Sequence, residues 1–183
     1  FYQDSESELW IGSWEEGLFR VKADGTIENF KYNAKDPHSL SSNFVRACCE
    51  DNLGNIWIGT FNGLNRYNKI TGLFQNHTAN DTQADGLTHS SIWCIVKDNQ
   101  GTLWLGTYFG GVNYFNPEYE IYTRYSYSSN EKKGLSNPVV GRTIEDKDGN
   151  LWIGTEGGGL NYYNRRTREF KWYRPQEGRN SIS

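Results

Sequence analysis

Four residues of this sequence stand at one recurring place, directly after a Gly-Ser or Gly-Thr pair: Trp14, Phe61, Tyr108 and Glu156. Glu15, Asn62 and Phe109 lie beside them, and Arg46 and Trp93 occupy equivalent places early in another repeated segment. Aromatic rings suit the C–H-rich faces of sugar rings. Glu, Asn and Arg side chains can bond the hydroxyls, and Arg can also pair with an acidic sugar. A few polar groups set among aromatic walls is the mix a concave ligand site uses. The competing reading is structural, with the same tips packing against neighbouring units or another domain.

Catalytic arrangements fare less well. Glycoside hydrolysis needs two carboxylates placed across one bond. The carboxylates at hand near these tips are Glu15, Glu16 and Glu156, which fall in the first and fourth units rather than adjacent ones. Asp51, Asp98 and Asp146 recur in every complete unit and therefore serve a turn. The stretch Asp146 to Asn150 resembles part of a calcium loop but lacks the closing Glu and the full ligand set. His38, His77 and His89 show no paired metal spacing. Nothing marks out a Ser-His-Asp site. Cys48 and Cys49 are neighbours that should face opposite sides of a strand, and Cys94 takes a small-residue position, so all three read as buried, inert thiols. No catalytic residue, metal or cofactor is expected.

The elements that position these residues are written four times. Trp10, Trp57, Trp104 and Trp152 are 47, 47 and 48 residues apart, in the phrases LWIGS, IWIGT, LWLGT and LWIGT. An acidic turn precedes each one: Asp51 to Gly54, Asp98 to Gly101 and Asp146 to Gly149, with a looser Asp4 to Ser7 in the first copy. A glycine and an aliphatic residue follow (Gly17-Leu18, Gly63-Leu64, Gly111-Val112, Gly159-Leu160), and then Tyr67-Asn68, Phe115-Asn116 and Tyr163-Asn164. One unit therefore reads as four short strands: A at 44–50, B at 55–60, C at 64–67 and D at 73–77. Their residues are β-branched, aliphatic and aromatic, bounded by Gly, Asn and Asp. Four antiparallel strands per repeat of this length make a propeller blade. The four phrase tryptophans read as core, since burying one removes roughly 150–250 Å² from water. The fold class is all-β: a β-propeller with four blades at 1–33, 41–79, 88–127 and 136–174. The segment 175–183 is expected to start a further repeat.

Composition sets limits. The net charge of −3 leaves no electrostatic footprint for nucleic acid. No apolar run approaches the roughly 20 residues that span a bilayer, no signal segment is read, and no direct membrane contact is expected. The chain has 15% aromatics, 20 glycines and no methionine. Its mean hydropathy is −0.79. It starts inside an expected strand A and stops where another should begin, so it reads as a piece of a larger propeller. Self-association through open terminal blades, near 1–32 and 159–183, is expected.

The segments at 45–68, 92–116 and 140–164, with V-R-A-C-C-E-D-N-L-G-N-I-W-I-G-T-F-N-G-L-N-R-Y-N as the first, resemble the two-component regulator propeller repeat. That resemblance implies a seven-bladed propeller in the periplasmic sensor region of a Bacteroides-type hybrid two-component histidine kinase. It also implies recognition of an oligosaccharide and control of the genes that use it, with the kinase, membrane helix and output domain outside this chain. The first copy departs from the pattern (Ser13 for Thr, no Gly in its acidic turn) and is expected to be a less regular blade. Two other classes stay open: a protein-docking platform without small ligand, and a propeller glycoside hydrolase or lyase.

Overall fold

The computed structural model describes residues 1–79, 86–119 and 121–175. Residues 176–183, most of the segment assigned to a further repeat, lie outside them.

Among the described residues, sixteen strands form four antiparallel sheets of four. The first sheet holds β1 (Tyr2–Gln3), β2 (Leu9–Gly12), β3 (Leu18–Val21) and β4 (Ile27–Phe30). The second holds β5 (Val45–Glu50), β6 (Ile56–Thr60), β7 (Gly63–Asn68) and β8 (Leu73–His77). The third holds β9 (Ile92–Lys97), β10 (Leu103–Thr107), β11 (Val112–Asn116) and β12 (Ile121–Tyr125). The fourth holds β13 (Val140–Glu145), β14 (Leu151–Thr155), β15 (Gly159–Asn164) and β16 (Glu169–Tyr173). Hydrogen-bonded neighbours follow chain order in every sheet. These are propeller blades, and the strands of the second match the sequence reading to within a residue. The one helical element among the described residues is a 3-10 turn, Glu131–Lys133. Strands β5, β9 and β13 touch one another across blades and so line the inner side.

Each blade is closed on one end by an aspartate bonded to the phrase tryptophan. The indole N–H donates to Asp4 (2.9 Å), Asp51 (2.7 Å), Asp98 (2.8 Å) and Asp146 (3.3 Å), six residues earlier in each case. The other carboxylate oxygen accepts two backbone N–H groups of the same turn, such as those of Leu53 and Asn55, both at 2.9 Å. The turn needs a left-handed residue, supplied by Gly54 (φ 80°), Gly101 (φ 83°) and Gly149 (φ 79°). In the first blade Ser7 takes this conformation at φ 65°. Asp4 still accepts from Glu6, Glu8 and Trp10, and the Ser13 hydroxyl donates to the Gly17 carbonyl at 2.9 Å as Thr107 does to Gly111. At both deviant positions of the first blade serine thus reproduces the bond made in the other copies. In its strands the first blade is the less regular one, as expected: β1 has two residues and β2, β3 and β4 four each, against five or six in the strands of the other blades.

The core lies between blades. Trp10, Trp57 and Trp104 are fully buried against Tyr67, Phe115 and Tyr163 of the next blade, at 5.3, 5.0 and 5.7 Å between ring centres. Trp152 is half-buried and packs on Tyr162 and Tyr173 of its own blade. Its core assignment is corrected to a half-buried one, since no fifth sheet covers it among the described residues. The phrase glycine lets the next inner strand approach: a Cβ at Gly59 would sit 2.8 Å from Ile92 Cγ2, and one at Gly106 2.6 Å from Val140 Cγ1. Cys48 packs into the core between the first two blades and Cys49 into the next, on opposite sheet faces as expected. Burial pushes their thiols up to about 12 and about 11.

Polar bonds run along the same seams. Asn65, Asn113 and Asn161 on the third strands are wholly buried. Their side-chain carbonyls accept from the backbone N–H of Ser41 (2.8 Å), Thr88 (3.1 Å) and Ser136 (2.8 Å) in the linking phrases. Lys69 reaches back to Asp4 of the first blade while holding Glu50, both at 2.8 Å, and Arg165 reaches Asp98 at 2.9 Å. Burial raises the pKa of Asp4 and Glu50, but hydrogen bonds, with Lys69 first among them, more than offset it and hold both below the usual carboxylate values.

Two predictions follow from these seams. Gly59→Ala should cost roughly 1–3 kcal/mol through overpacking, whereas Gly154→Ala, whose Cβ would meet nothing closer than the Arg142 carbonyl at 3.6 Å, should change stability by about 0.5 kcal/mol or less; urea midpoints of the two variants check the contrast. Asp4 and Glu50, with depressed folded pKa values, contribute fully above the ordinary carboxylate range and lose that contribution as pH falls through it. Lys69→Met should therefore lower the melting temperature at neutral pH and flatten its decline on acidification. Parallel melting curves from pH 7 down to about 3 would show it.

Candidate functional site

The second-to-third strand loops of all four blades emerge at the end opposite the aspartate turns, because consecutive strands are antiparallel. In the second, third and fourth blades the tip is pinned by its backbone. The N–H of Phe61 donates to the Phe44 carbonyl (3.0 Å), that of Tyr108 to Ser91 (3.1 Å) and that of Glu156 to Val139 (3.0 Å), always the residue just before the inner strand. Within the loop, Gly111 at φ 75° brings its Cα so near the Tyr125 carbonyl that a Cβ would lie 2.3 Å from the oxygen. The tip's backbone is consumed by these contacts, which leaves the side chain as the variable part.

A second device aims the inner-strand residues. Pairing slips by one between Val45 and Ala47, again between Ile92 and Cys94, and again between Val140 and Arg142. The residues left out of register are Arg46, Trp93 and Gly141. Such bulges bend a strand and re-aim a side chain, and they are common beside binding sites. Arg46 and Trp93 are equivalent as expected, but the bulge that lifts them out of the pleat was not read from the sequence.

The side chains meet in a continuous strip. The Arg46 guanidinium carbon sits over the Trp14 ring at 4.6 Å and over the Trp93 ring at 4.1 Å. Tyr108 stacks on Trp93, 5.1 Å away and 10° from parallel, and Phe109 meets Tyr108 edge-on at 4.3 Å. On the other side Trp14 meets Phe44 at 5.6 Å, and Phe44 meets Phe61 at 6.2 Å. Trp14, Phe61 and Phe109 remain 60%, 54% and 56% exposed. Glu15, Asn62 and Glu156 are exposed, while Arg46, Trp93 and Tyr108 are half-buried. Trp14, Arg46, Trp93 and Glu156 also line a concave hollow of about 1000 Å³ on the inner side of the arc. The structure thus brings together Trp14, Arg46, Trp93, Tyr108, Phe109 and Phe61 in the strip and places Glu156 across the hollow; Phe61, Tyr108 and Phe109 of the strip lie outside the hollow's lining, as do Glu15 and Asn62.

Three participants were missed. Phe44 joins Trp14 to Phe61. His89 lies 6.2 Å from Phe109. Arg142 lines the hollow from the fourth blade. Comparing the residue before each inner strand (Phe44, Ser91, Val139) would have marked the odd aromatic.

The other reactive groups are engaged in the scaffold. Glu16 pairs with Lys31, and Asp146 accepts from Asp148, Asn150 and Trp152. The histidines lie apart, with His38 at the Phe74 carbonyl and His77 on Trp57.

Comparison with known structures agrees with the fold. Two are extracellular domains of hybrid two component systems of B. thetaiotaomicron, at 26% and 22% identity. Both have a TM-score of 0.77 and cover 93% of this chain, but only 24% and 22% of their own. This chain therefore spans under a quarter of those domains. A virginiamycin B lyase from Staphylococcus aureus matches at 14% identity with a TM-score of 0.68, over 97% of this chain and 55% of its own, a likeness of fold alone. No curated protein matches the sequence. The family model for the two component regulator propeller matches residues 39–62, 86–109 and 134–157, each running from a linking phrase through the inner strand, the aspartate turn and the phrase tryptophan to the loop tip. Those three segments are two-component regulator propeller repeats.

Proposed function

We propose that this chain is a ligand-sensing part of the extracytoplasmic region of a hybrid two-component sensor kinase, and that its loop-tip face recognises an oligosaccharide whose arrival controls glycan-utilisation genes. The observation that carries this reading is the strip Trp14–Arg46–Trp93–Tyr108–Phe109 at the edge of the hollow. Exposed rings in a row, with hydrogen-bonding groups at hand, suit successive sugar rings. The repeats themselves and the likeness to extracellular domains of two component systems support the sensor context and an extracytoplasmic location.

The strip is also well placed for signalling. It is built from three blades at once: Trp14 from the first, Arg46 from the second, and Trp93 and Tyr108 from the third. A ligand lying on it touches several blades, so binding biases how they sit against one another. A ligand shifts an equilibrium only by its differential affinity for the two arrangements.

Calorimetry against a panel of oligosaccharides, with the intact sensor region, tests the reading directly. Tyr108→Ala should weaken the response by about tenfold or more, the loss of one stacking face. Its melting temperature should stay near that of the parent, since Tyr108 is half-buried and outside the inter-blade cores. An unchanged dose–response in a folded variant would remove the strip from the site.

A further inference from the structure

The hollow's charge carries the reading one step further. Its charged side chains are Arg46, Arg142 and Glu156, a net positive lining in a chain whose net charge is −3. Neither arginine has an ion pair among the described residues. Arg46 is the more telling of the two. A guanidinium carries five N–H donors in a rigid fork, and among the described residues none of Arg46's donors meets an acceptor. Its Nε is buried with no partner at all, as is the indole Nε1 of Trp93 beside it.

Arg20 and Arg165 are treated differently. Arg20 also lies over a tryptophan, at 5.4 Å from Trp10, but Glu8 and Glu28 hold it at 2.6 and 3.3 Å. Arg165 lies 5.7 Å from Trp104 and is held by Asp98 and Glu145. Those are structural arginines, with ring and carboxylate both supplied by the scaffold. Arg46 has two rings and no carboxylate. The indoles attract the cation through their ring faces but cannot accept its hydrogen bonds, and a buried donor left unpaired is costly. Burial accordingly pulls the Arg46 pKa down. The bulge that sets Arg46 out of register holds this cation at the wall of the hollow.

We infer that the ligand is anionic: an oligosaccharide bearing a carboxylate or a sulfate, whose oxyanion completes the donor fork of Arg46 while its sugar rings lie on Trp14, Trp93 and Tyr108. This rests on the oligosaccharide reading and narrows it. An oxyanion offers the in-plane acceptors that a guanidinium pairs with bidentately. The exposed Glu156 carboxylate on the same hollow is suited to sugar hydroxyls and disfavours a second anionic group close to it. That keeps the anionic group at Arg46 and away from Glu156.

The test is a glycan array carrying neutral, uronate-containing and sulfated oligosaccharides, probed with the full chain, followed by calorimetry on the best binder and its uncharged counterpart (the methyl ester of a uronate, the desulfated form of a sulfate). The expected result is binding confined to acidic glycans, at least about tenfold tighter than to the uncharged counterpart and weakening as salt rises. Arg46→Gln should erase that preference, and Arg46→Lys should restore part of it, with both variants melting near the parent. The uronate and sulfate arms show which oxyanion is used. Binding to neutral glycans with equal strength, unaffected by Arg46→Gln, overturns the charge assignment and leaves the oligosaccharide reading standing. Binding to no glycan on the array overturns both.

Discussion

A hydrogen bond from an indole N–H to an aspartate six residues earlier is the constraint on which this molecule is built. It is made four times, at Asp4, Asp51, Asp98 and Asp146. A buried indole N–H without an acceptor is costly, and a buried carboxylate without donors more so. Each solves the other's problem, and the remaining carboxylate oxygen satisfies the turn's own backbone. The large apolar body of the tryptophan is then free to face the next blade. The bond thus ties a local event, closure of a tight turn, to a long-range one, the seam between blades. Lys69 and Arg165 tighten the link by bonding to Asp4 and Asp98 from the following blade.

The seams explain why the phrase ends in glycine and why the third strand carries an asparagine. Gly59 and Gly106 leave room for Ile92 and Val140 of the next inner strand. Asn65, Asn113 and Asn161 pair with the linking phrase that enters their own blade. One residue removes a steric conflict and the other satisfies backbone that would otherwise be buried unpaired. Burial in such proteins is organised between neighbours, so each unit depends on the one beside it.

Most of this scaffold was legible in the sequence, because every contact in it is repeated and repetition makes position visible. The strand boundaries, the turn aspartates, the phrase tryptophans and the opposite facing of Cys48 and Cys49 all followed from period alone. What escaped reading was relational. Nothing in the letters shows that an aspartate bonds a tryptophan six residues on, or that Ser7 adopts a left-handed φ where other copies place glycine. The bulges at Arg46, Trp93 and Gly141 were hidden too, since a slipped register leaves the hydrophobic pattern on either side intact. For the site, the loop-tip residues were identified as a set, but their order along a strip was not, because it is set by the twist between blades. Phe44 was overlooked as it sits where other copies carry a small or aliphatic residue.

The same division locates where specificity can arise. A residue that repeats is tied by several bonds at once, so changing it breaks a seam. The loop tip and the bulge are the exceptions. At both, the backbone carries the structural bonds and the side chain carries none of them: the tip's N–H is bonded to the residue before the inner strand, and the bulged residue stands outside the ladder. The scaffold therefore tolerates Trp, Phe, Tyr or Glu at the tip, and Arg, Trp or Gly at the bulge, with little cost to folding. In this chain the fourth blade has Glu156 and Gly141 at the positions where the third has Tyr108 and Trp93. It consequently presents a carboxylate and an open space where its neighbour presents two stacked rings. Arg46 lies between the first blade's indole and the third's, so its surroundings belong to three blades and none of them alone determines it. A surface of this kind is assembled by the arc, and its recognition properties are those of the assembled blades rather than of any one repeat.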